Sequence, residues 1–223
     1  MIVAIDGPSA SGKSTTAIAL SRELDFLYID TGAMYRAYTL MAIRLKIPLE
    51  NEMAVSALKG QVKIELVNRP EGMLVMLNGE DVSKEIRKDY ISKSVSIVSS
   101  YKQVREKMVE LQRKMGDNQA VICEGRDIGT VVFPNADLKI FMTADIKERA
   151  RRRQRDLLKL NINKELDEIE RDLAKRDHLD SSREISPLKR AENAVLIDTT
   201  FMTFKEQVNF IKELILAKNE GKF

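Results

Sequence analysis

The chain has no tryptophan, one histidine and one cysteine in 223 residues. Cys123 alone excludes an internal disulfide and fits a reducing compartment. With His178 as the single histidine, no His/Cys zinc cluster can be assembled. His178 also lacks a nucleophile motif beside it, so it reads as an ordinary solvated histidine. Cys123 lies in the strand-like run Ala120-Val121-Ile122-Cys123 and reads as a small core residue. Aromatic residues make up 5 %, and 37 basic against 34 acidic side chains leave a net charge of only +3. That balance argues against a nucleic-acid partner. No apolar run approaches the about 20 residues that span a bilayer. The N-terminus has neither a basic n-region nor a long apolar h-region, so a cytoplasmic location is expected. Hydrophobic residues at 43 % and charged residues at 32 % describe a globular chain. Its length suits one domain, or one domain with an insertion.

What the chain does contain begins six residues in. Gly7-Pro8-Ser9-Ala10-Ser11-Gly12-Lys13-Ser14-Thr15 has the Gly-x4-Gly-Lys-Ser spacing of a phosphate-binding loop. Such a loop wraps consecutive backbone N–H groups around a polyphosphate and aims a helix N-terminus at it. Lys13 would reach the β- and γ-phosphates, and the Ser14 hydroxyl would coordinate Mg²⁺. The strand-like run Ile2-Val3-Ala4-Ile5 precedes the loop and an amphipathic helix follows it. The chain therefore binds a nucleoside triphosphate. Lys13 is expected on a solvent-facing loop, where its removal would spare the fold.

Five short apolar runs have the β-branched content of buried parallel strands: residues 2–5, 26–29, 120–123, 138–142 and 194–197. Helical patterns cover 13–24, 32–45, about 101–115, about 146–160, about 164–178 and 203–218. Strand and helix alternating after a phosphate loop imply an α/β fold with a P-loop NTPase-type parallel sheet flanked by helices. Residues from about 60 to 100 break the rhythm. Val62–Val67 alternates apolar and polar, Met73–Leu77 follows, and Asn78-Gly79 is a tight-turn signal, so a small antiparallel sheet is expected there.

Two polar clusters follow core strands, where ligands gather in such folds. Asp30-Thr31-Gly32-Ala33-Met34-Tyr35-Arg36 enters a helix, with Arg36 placed to pair bidentately with a phosphate or to lie on the surface, and Thr31 to serve as a helix cap. Glu124-Gly125-Arg126-Asp127 is poor core material and a good substrate edge. Glu124 and Asp30 are competing candidates for a carboxylate that holds metal-bound water. Further on, Arg149, Arg151, Arg152, Arg153 and Arg155 crowd into seven positions. They spread around most of a helix, as either a solvated face or an arginine lid over transferring phosphates. Arg176 and Arg183 flank Asp180, a set suited to a phosphate and a ribose.

Four segments together resemble the bacterial cytidylate kinases, in the nucleoside monophosphate kinase family of P-loop enzymes. They are Ile5-Asp6-Gly7-Pro8-Ser9, the stretch 30–36, Asn78-Gly79-Glu80-Asp81-Val82-Ser83-Lys84-Glu85-Ile86-Arg87, and Glu124 through Pro134. The likeness covers essentially the whole chain. It implies one kinase domain over 1–223: a five-stranded core at 1–59 and 101–223, a monophosphate-binding insert at about 60–100, and a helical arginine-rich lid at about 146–165. It further implies that Thr31, Arg105 and Asp127 address cytosine and that Arg36, Arg126 and Arg176 hold the acceptor phosphate. Asp180 would bond the ribose, Arg183 would complete the pocket, and Arg149 and Arg153 would approach ATP. Position 31 is Thr where Ser is common, and position 124 is Glu where Asp is common.

The implied reaction is phosphoryl transfer from ATP, with Mg²⁺, to CMP and dCMP, with Lys13, Arg126, Arg149 and Arg153 as the catalytic set. A monomer without membrane or nucleic-acid partners is implied as well. Rival readings are a related kinase acting on UMP or another small acceptor, and a non-catalytic nucleotide-binding module. The guanine-reading Asn-Lys-x-Asp motif is absent, since Asn163-Lys164 continues as Glu165-Leu166. Asp127 could instead cap a helix or pair with Arg126.

Overall fold

In a computed structural model, residues 1–69, 72–159 and 161–221 are described. Positions 70 and 71 of the expected insert and 160 of the expected lid lie outside them. The apolar run after Met1 forms β1 (Ile2–Asp6), and the phosphate loop leads into α1 (Lys13–Leu24). Then come β2 (Leu27–Asp30), α2 (Thr31–Arg44), α3 (Glu52–Ala57), β3 (Ile64–Arg69), β4 (Gly72–Leu77) and β5 (Glu80–Asp81). They are followed by α4 (Asp89–Val98), α5 (Lys102–Met115), β6 (Val121–Gly125) and β7 (Leu138–Thr143). The chain closes with α6 (Ile146–Leu158), α7 (Leu166–Ser181), β8 (Val195–Asp198) and α8 (Phe204–Asn219).

Five strands form one sheet in the order β2-β6-β1-β7-β8, and β3-β4-β5 form a second. The central strands run parallel, with Val3 beside Ile122 on one side and Leu138 on the other. Val3, Ala4, Ile5, Ile122 and Cys123 have no exposed surface. A strand covered on both faces selects continuous β-branched and small apolar residues, which is how these runs are written. The small sheet is antiparallel throughout, pairing Ile64 with Leu77 and Leu77 with Glu80. Its Asn78-Gly79 turn places both residues at positive φ.

The chain divides into two compact units, residues 1–26 with 119–223, and residues 27–118. In the first, α6 packs on α7 through Ala150, Leu157, Ile169 and Leu173, with Ile162 against them. In the second, α2 is almost wholly buried, and the Tyr38 hydroxyl donates to the Val55 carbonyl. Arg44 at the end of α2 pairs with both Glu80 and Glu85, fastening the turn end of the small sheet to the helix. The 60–100 stretch also holds a helix, α4, whose apolar Ile91, Val95 and Val98 line one face.

Candidate active site

The phosphate loop is built by backbone geometry that few residues tolerate. Gly7 has φ 148°, and a Cβ there would stand 1.9 Å from the Met142 carbonyl oxygen. Gly12 has φ 99°, and its Cβ would stand 2.6 Å from Gln207 Oε1. A side chain at Gly7 would drive into the β7 backbone, and one at Gly12 would displace the Gln207 side chain and hold a strained φ. Ala10 sits at φ 61°, an uncommon left-handed conformation for a residue with a Cβ. Gly12 is the N-cap of α1 and supplies no side-chain acceptor, so the helix's first N–H groups face the loop without a capping oxygen. Thr199 braces the loop from outside, its hydroxyl 2.9 Å from the Ser11 carbonyl and accepting from Arg152 Nη1 at 3.0 Å.

Lys13 corrects the expectation of a solvent-facing residue: it is 4 % exposed. Its ammonium donates to the Pro8 carbonyl at 2.7 Å, folding back across the loop it belongs to. Burial and the Arg126 charge push its pKa down to about 7, against the attraction of Glu124 and Asp6. The consequence for stability has a definite sign. Between about pH 7 and the ordinary lysine value of 10.5 the unfolded chain binds a proton that the folded, ligand-free protein does not. Stability therefore rises with pH across that window. Urea unfolding at pH 7.5 and 9.5 should show the rise in the native protein and its loss in Lys13→Met.

Around Lys13 the first unit gathers the residues that end β6 and those of α7. Glu124 and Asp127 are 4 % exposed and Asp180 is also 4 % exposed. Arg126 Nε donates to Asp180 Oδ2 at 2.8 Å, and Arg183 Nη2 to Asp180 Oδ1 at 3.2 Å. Burial alone would raise the Asp180 carboxyl, but Arg126, Arg176 and Arg183 together hold it below the usual aspartate range. Arg126 stays firmly protonated despite its burial because Asp180 and Glu124 lie near it. Asp127 precedes a single π-helical turn, Ile128–Val132, and makes no side-chain cap to it. Arg126 takes Asp180 as an ion-pair partner. Asp6, which the sequence reading passed over, is 3 % exposed. Burial pushes its carboxyl up to about 6, opposed by the N–H groups of Gly129 and Ile128.

The arginine run on α6 is not one solvated face. Arg149 is 6 % exposed and pairs with Asp177 Oδ2 at 2.6 Å, with the Ala144 carbonyl at 2.9 Å and with the Ser9 carbonyl at 3.3 Å. Arg152 turns to Thr199 and Glu148, whereas Arg151 and Arg155 are exposed. Arg153 is half-buried.

Thr31, Arg36 and Arg105 belong to the second unit. Asp30 Oδ1 caps α2 at the Ala33 N–H, 2.7 Å, and Oδ2 accepts from Arg36 at 3.2 Å. Arg105 is 3 % exposed, its guanidinium 5.3 Å above the Tyr35 ring and donating to the Ser99 carbonyl at 3.0 Å. Thr31 is buried at the first turn of α2.

Among the described residues no group of three or more His, Cys, Asp or Glu side chains could cage a metal ion. The donor chemistry suits Mg²⁺ nonetheless, since that ion takes few protein ligands and fills its shell with phosphate oxygens and water. Ser14 is exposed on the first turn of α1, and Glu124 is buried near Lys13. Asp30, already holding Ala33 and Arg36, is the weaker carboxylate for that purpose.

The chain was compared with known proteins by sequence and by structure. The chain is 46 % identical over 217 residues to a cytidylate kinase of Bacillus velezensis, covering 97 % of each protein. It is 45 % identical over 213 residues to a cytidylate kinase of a Geobacillus species, covering 96 % of this chain and 95 % of that one. A solved structure of an uncharacterized protein from Eubacterium ventriosum superimposes with a TM-score of 0.50 at 10 % identity over 99 % of this chain and 98 % of that one, a likeness of fold alone. The cytidylate kinase family model matches residues 3–217, and the chain belongs to that family.

Proposed function

We propose that the protein transfers the γ-phosphoryl group of ATP to CMP, and to dCMP, giving ADP and the diphosphate. The observation that carries this reading is the cationic group of buried Lys13 with half-buried Arg126 and Arg176, gathered at the phosphate loop with Asp180 and Glu124 as counter-charges. Like charges crowded at a partly buried site are costly without a polyanion to neutralise them. Two nucleotides meeting phosphate to phosphate supply one.

The acceptor is already largely anionic near neutral pH, so its phosphate oxygen attacks in line and no covalent enzyme intermediate or general base is needed. The chain's work is positioning and charge neutralisation. Residues 7–15 wrap the ATP phosphates, and Lys13 leaves the Pro8 carbonyl for the transferring group. Arg126, Arg176 and Arg36 hold the acceptor phosphate. Asp180 bonds the ribose while fixing Arg126 and Arg183. Thr31, Arg105 and Asp127 read the base: a carboxylate accepts from the cytosine N4 amino group and would face the lone pairs of uracil O4. Arg149 and Arg153 approach ATP from α6. Ser14, and Glu124 through water, would hold Mg²⁺, which would supply charge neutralisation at the ATP phosphates. No helix among the described residues is long and apolar enough to cross a membrane. The family resemblance supports a cytoplasmic monomer.

ADP formation measured with CMP, dCMP, UMP, AMP and GMP tests the reading. CMP and dCMP should be used at least about tenfold better than the rest, the scale of losing one polar base contact. UMP or AMP used as well as CMP would overturn it.

A further inference from the structure

Arg152 and Thr199 have no part in the reaction as described, yet together they reach the phosphate loop. Thr199 follows β8 directly and has no exposed surface. Three donors of the Arg152 guanidinium are taken up close by: Nε on Glu148 Oε1 at 3.1 Å, Nη1 on the Thr199 hydroxyl at 3.0 Å and Nη2 on the Thr199 carbonyl at 2.6 Å. With a lone pair engaged by a cation, the hydroxyl directs its single proton to a carbonyl. Two are within reach, Ser11 in the phosphate loop and Thr143 at the end of β7, both at 2.9 Å. Thr143 already accepts the Thr199 backbone N–H at 2.8 Å, so the proton does most on Ser11. A trans peptide points its C=O and its N–H in opposite directions. Holding the Ser11 carbonyl toward Thr199 therefore aims the Gly12 N–H away from it, into the loop. Arg149 treats Ser9 the same way, its Nη1 3.3 Å from that carbonyl, which aims the Ala10 N–H.

We propose that Thr199 is a positioning residue for the donor nucleotide and that Arg152 acts through it: the pair holds the Ser11 carbonyl outward, so that the loop's N–H groups stay on the ATP phosphates. Arg152 thus serves ATP without touching it, unlike Arg149 and Arg153 as assigned above. The inference rests on ATP occupying the phosphate loop, as proposed above.

Thr199→Val is nearly isosteric and removes the relay while leaving the carbonyl that takes Nη2. The dissociation constant of ATP, measured by calorimetry without acceptor, should rise roughly tenfold, the scale of one buried hydrogen bond left unmade. KM for CMP should stay native. Thr199→Ser keeps the hydroxyl and should restore ATP affinity. Arg152→Met frees the hydroxyl to turn to Thr143. It should weaken ATP binding in the native background but add little to Thr199→Val, because both act through one contact. Unchanged ATP affinity in folded Thr199→Val overturns the proposal, as does an equal rise in KM for CMP or a failure of Thr199→Ser to restore binding. An Arg152→Met loss of the same size in both backgrounds means that the arginine touches ATP itself, and overturns it too. If Thr199→Val does not fold, Thr199→Cys fills the site with a weak donor. Unchanged ATP affinity in that variant is equally fatal. A native protein that binds ATP but leaves CMP unphosphorylated overturns the proposed reaction alone, since the ATP affinities are read without acceptor. One that binds no ATP overturns both.

Discussion

Lys13→Met is expected to lose at least two orders of magnitude in turnover while the ligand-free protein unfolds no more easily than the native one. The first half follows from where charge develops. A preorganised cation at the transferring phosphoryl group is worth about 10²–10³ in kcat, and Lys13 already stands inside the loop with its ammonium on the Pro8 carbonyl. The second half follows from its surroundings. An ammonium that is 4 % exposed, with Arg126 and Arg176 nearby, destabilises the protein until a polyanion arrives. Methionine keeps the unbranched stem and removes the charge. Steady-state rates with ATP and CMP, beside urea unfolding without nucleotide, separate the two effects. Near-native turnover would remove the phosphate loop from the active centre. A large fall in stability would mean that the ammonium is a structural counter-ion to Glu124 and Asp6.

The central strands β1 and β6 were legible because both of their faces are buried, and the apolar runs 2–5 and 120–123 record that directly. The phosphate loop was legible because its backbone excludes side chains at two fixed points, Gly7 and Gly12. Helix α4 was not foreseen: its Ser- and β-branched-rich stretch Asp89–Val98 follows a hairpin signal and is only ten residues long. Lys13 looked exposed because a Gly/Ser loop ordinarily is. The charges that act on it, Glu124, Arg126 and Arg176, lie more than a hundred positions away, and no local pattern records them. Asp6 was invisible for the same reason. A carboxylate at a strand end has many uses, and only the pairing of β1 with β6 brings it to the Ile128 and Gly129 N–H groups. The arginine run did not show which of its members face the core, since α6 turns Arg149 and Arg152 inward and Arg151 and Arg155 outward.

Arg126→Met is expected to cut kcat/KM for CMP by about three orders of magnitude, the lower end for an arginine acting on a transferring phosphoryl group. It should also cost stability, because Arg126 is the partner of Asp180 Oδ2. Breaking a buried pair from one side costs about 3–5 kcal/mol; here the loss should fall at or below that range, since Arg183 remains on Asp180 Oδ1. The two losses have different pH signatures. Asp180 is held below its ordinary value, so the stability it supplies is present above the unfolded carboxylate range and disappears as pH falls through the folded value. Removing Arg126 should narrow the gap in unfolding free energy between pH 7 and pH 3, while the catalytic defect persists wherever the variant is folded. Arg126→Lys separates the roles further. It restores a charge beside Asp180 but not the planar fork, which can serve Asp180 through Nε and a phosphate through its remaining donors at once. Stability should therefore recover more than turnover does. If Arg126→Met loses stability yet keeps kcat/KM for CMP within tenfold of native, Arg126 is only the counter-ion of Asp180, and the acceptor phosphate is held by Arg36 and Arg176 without it.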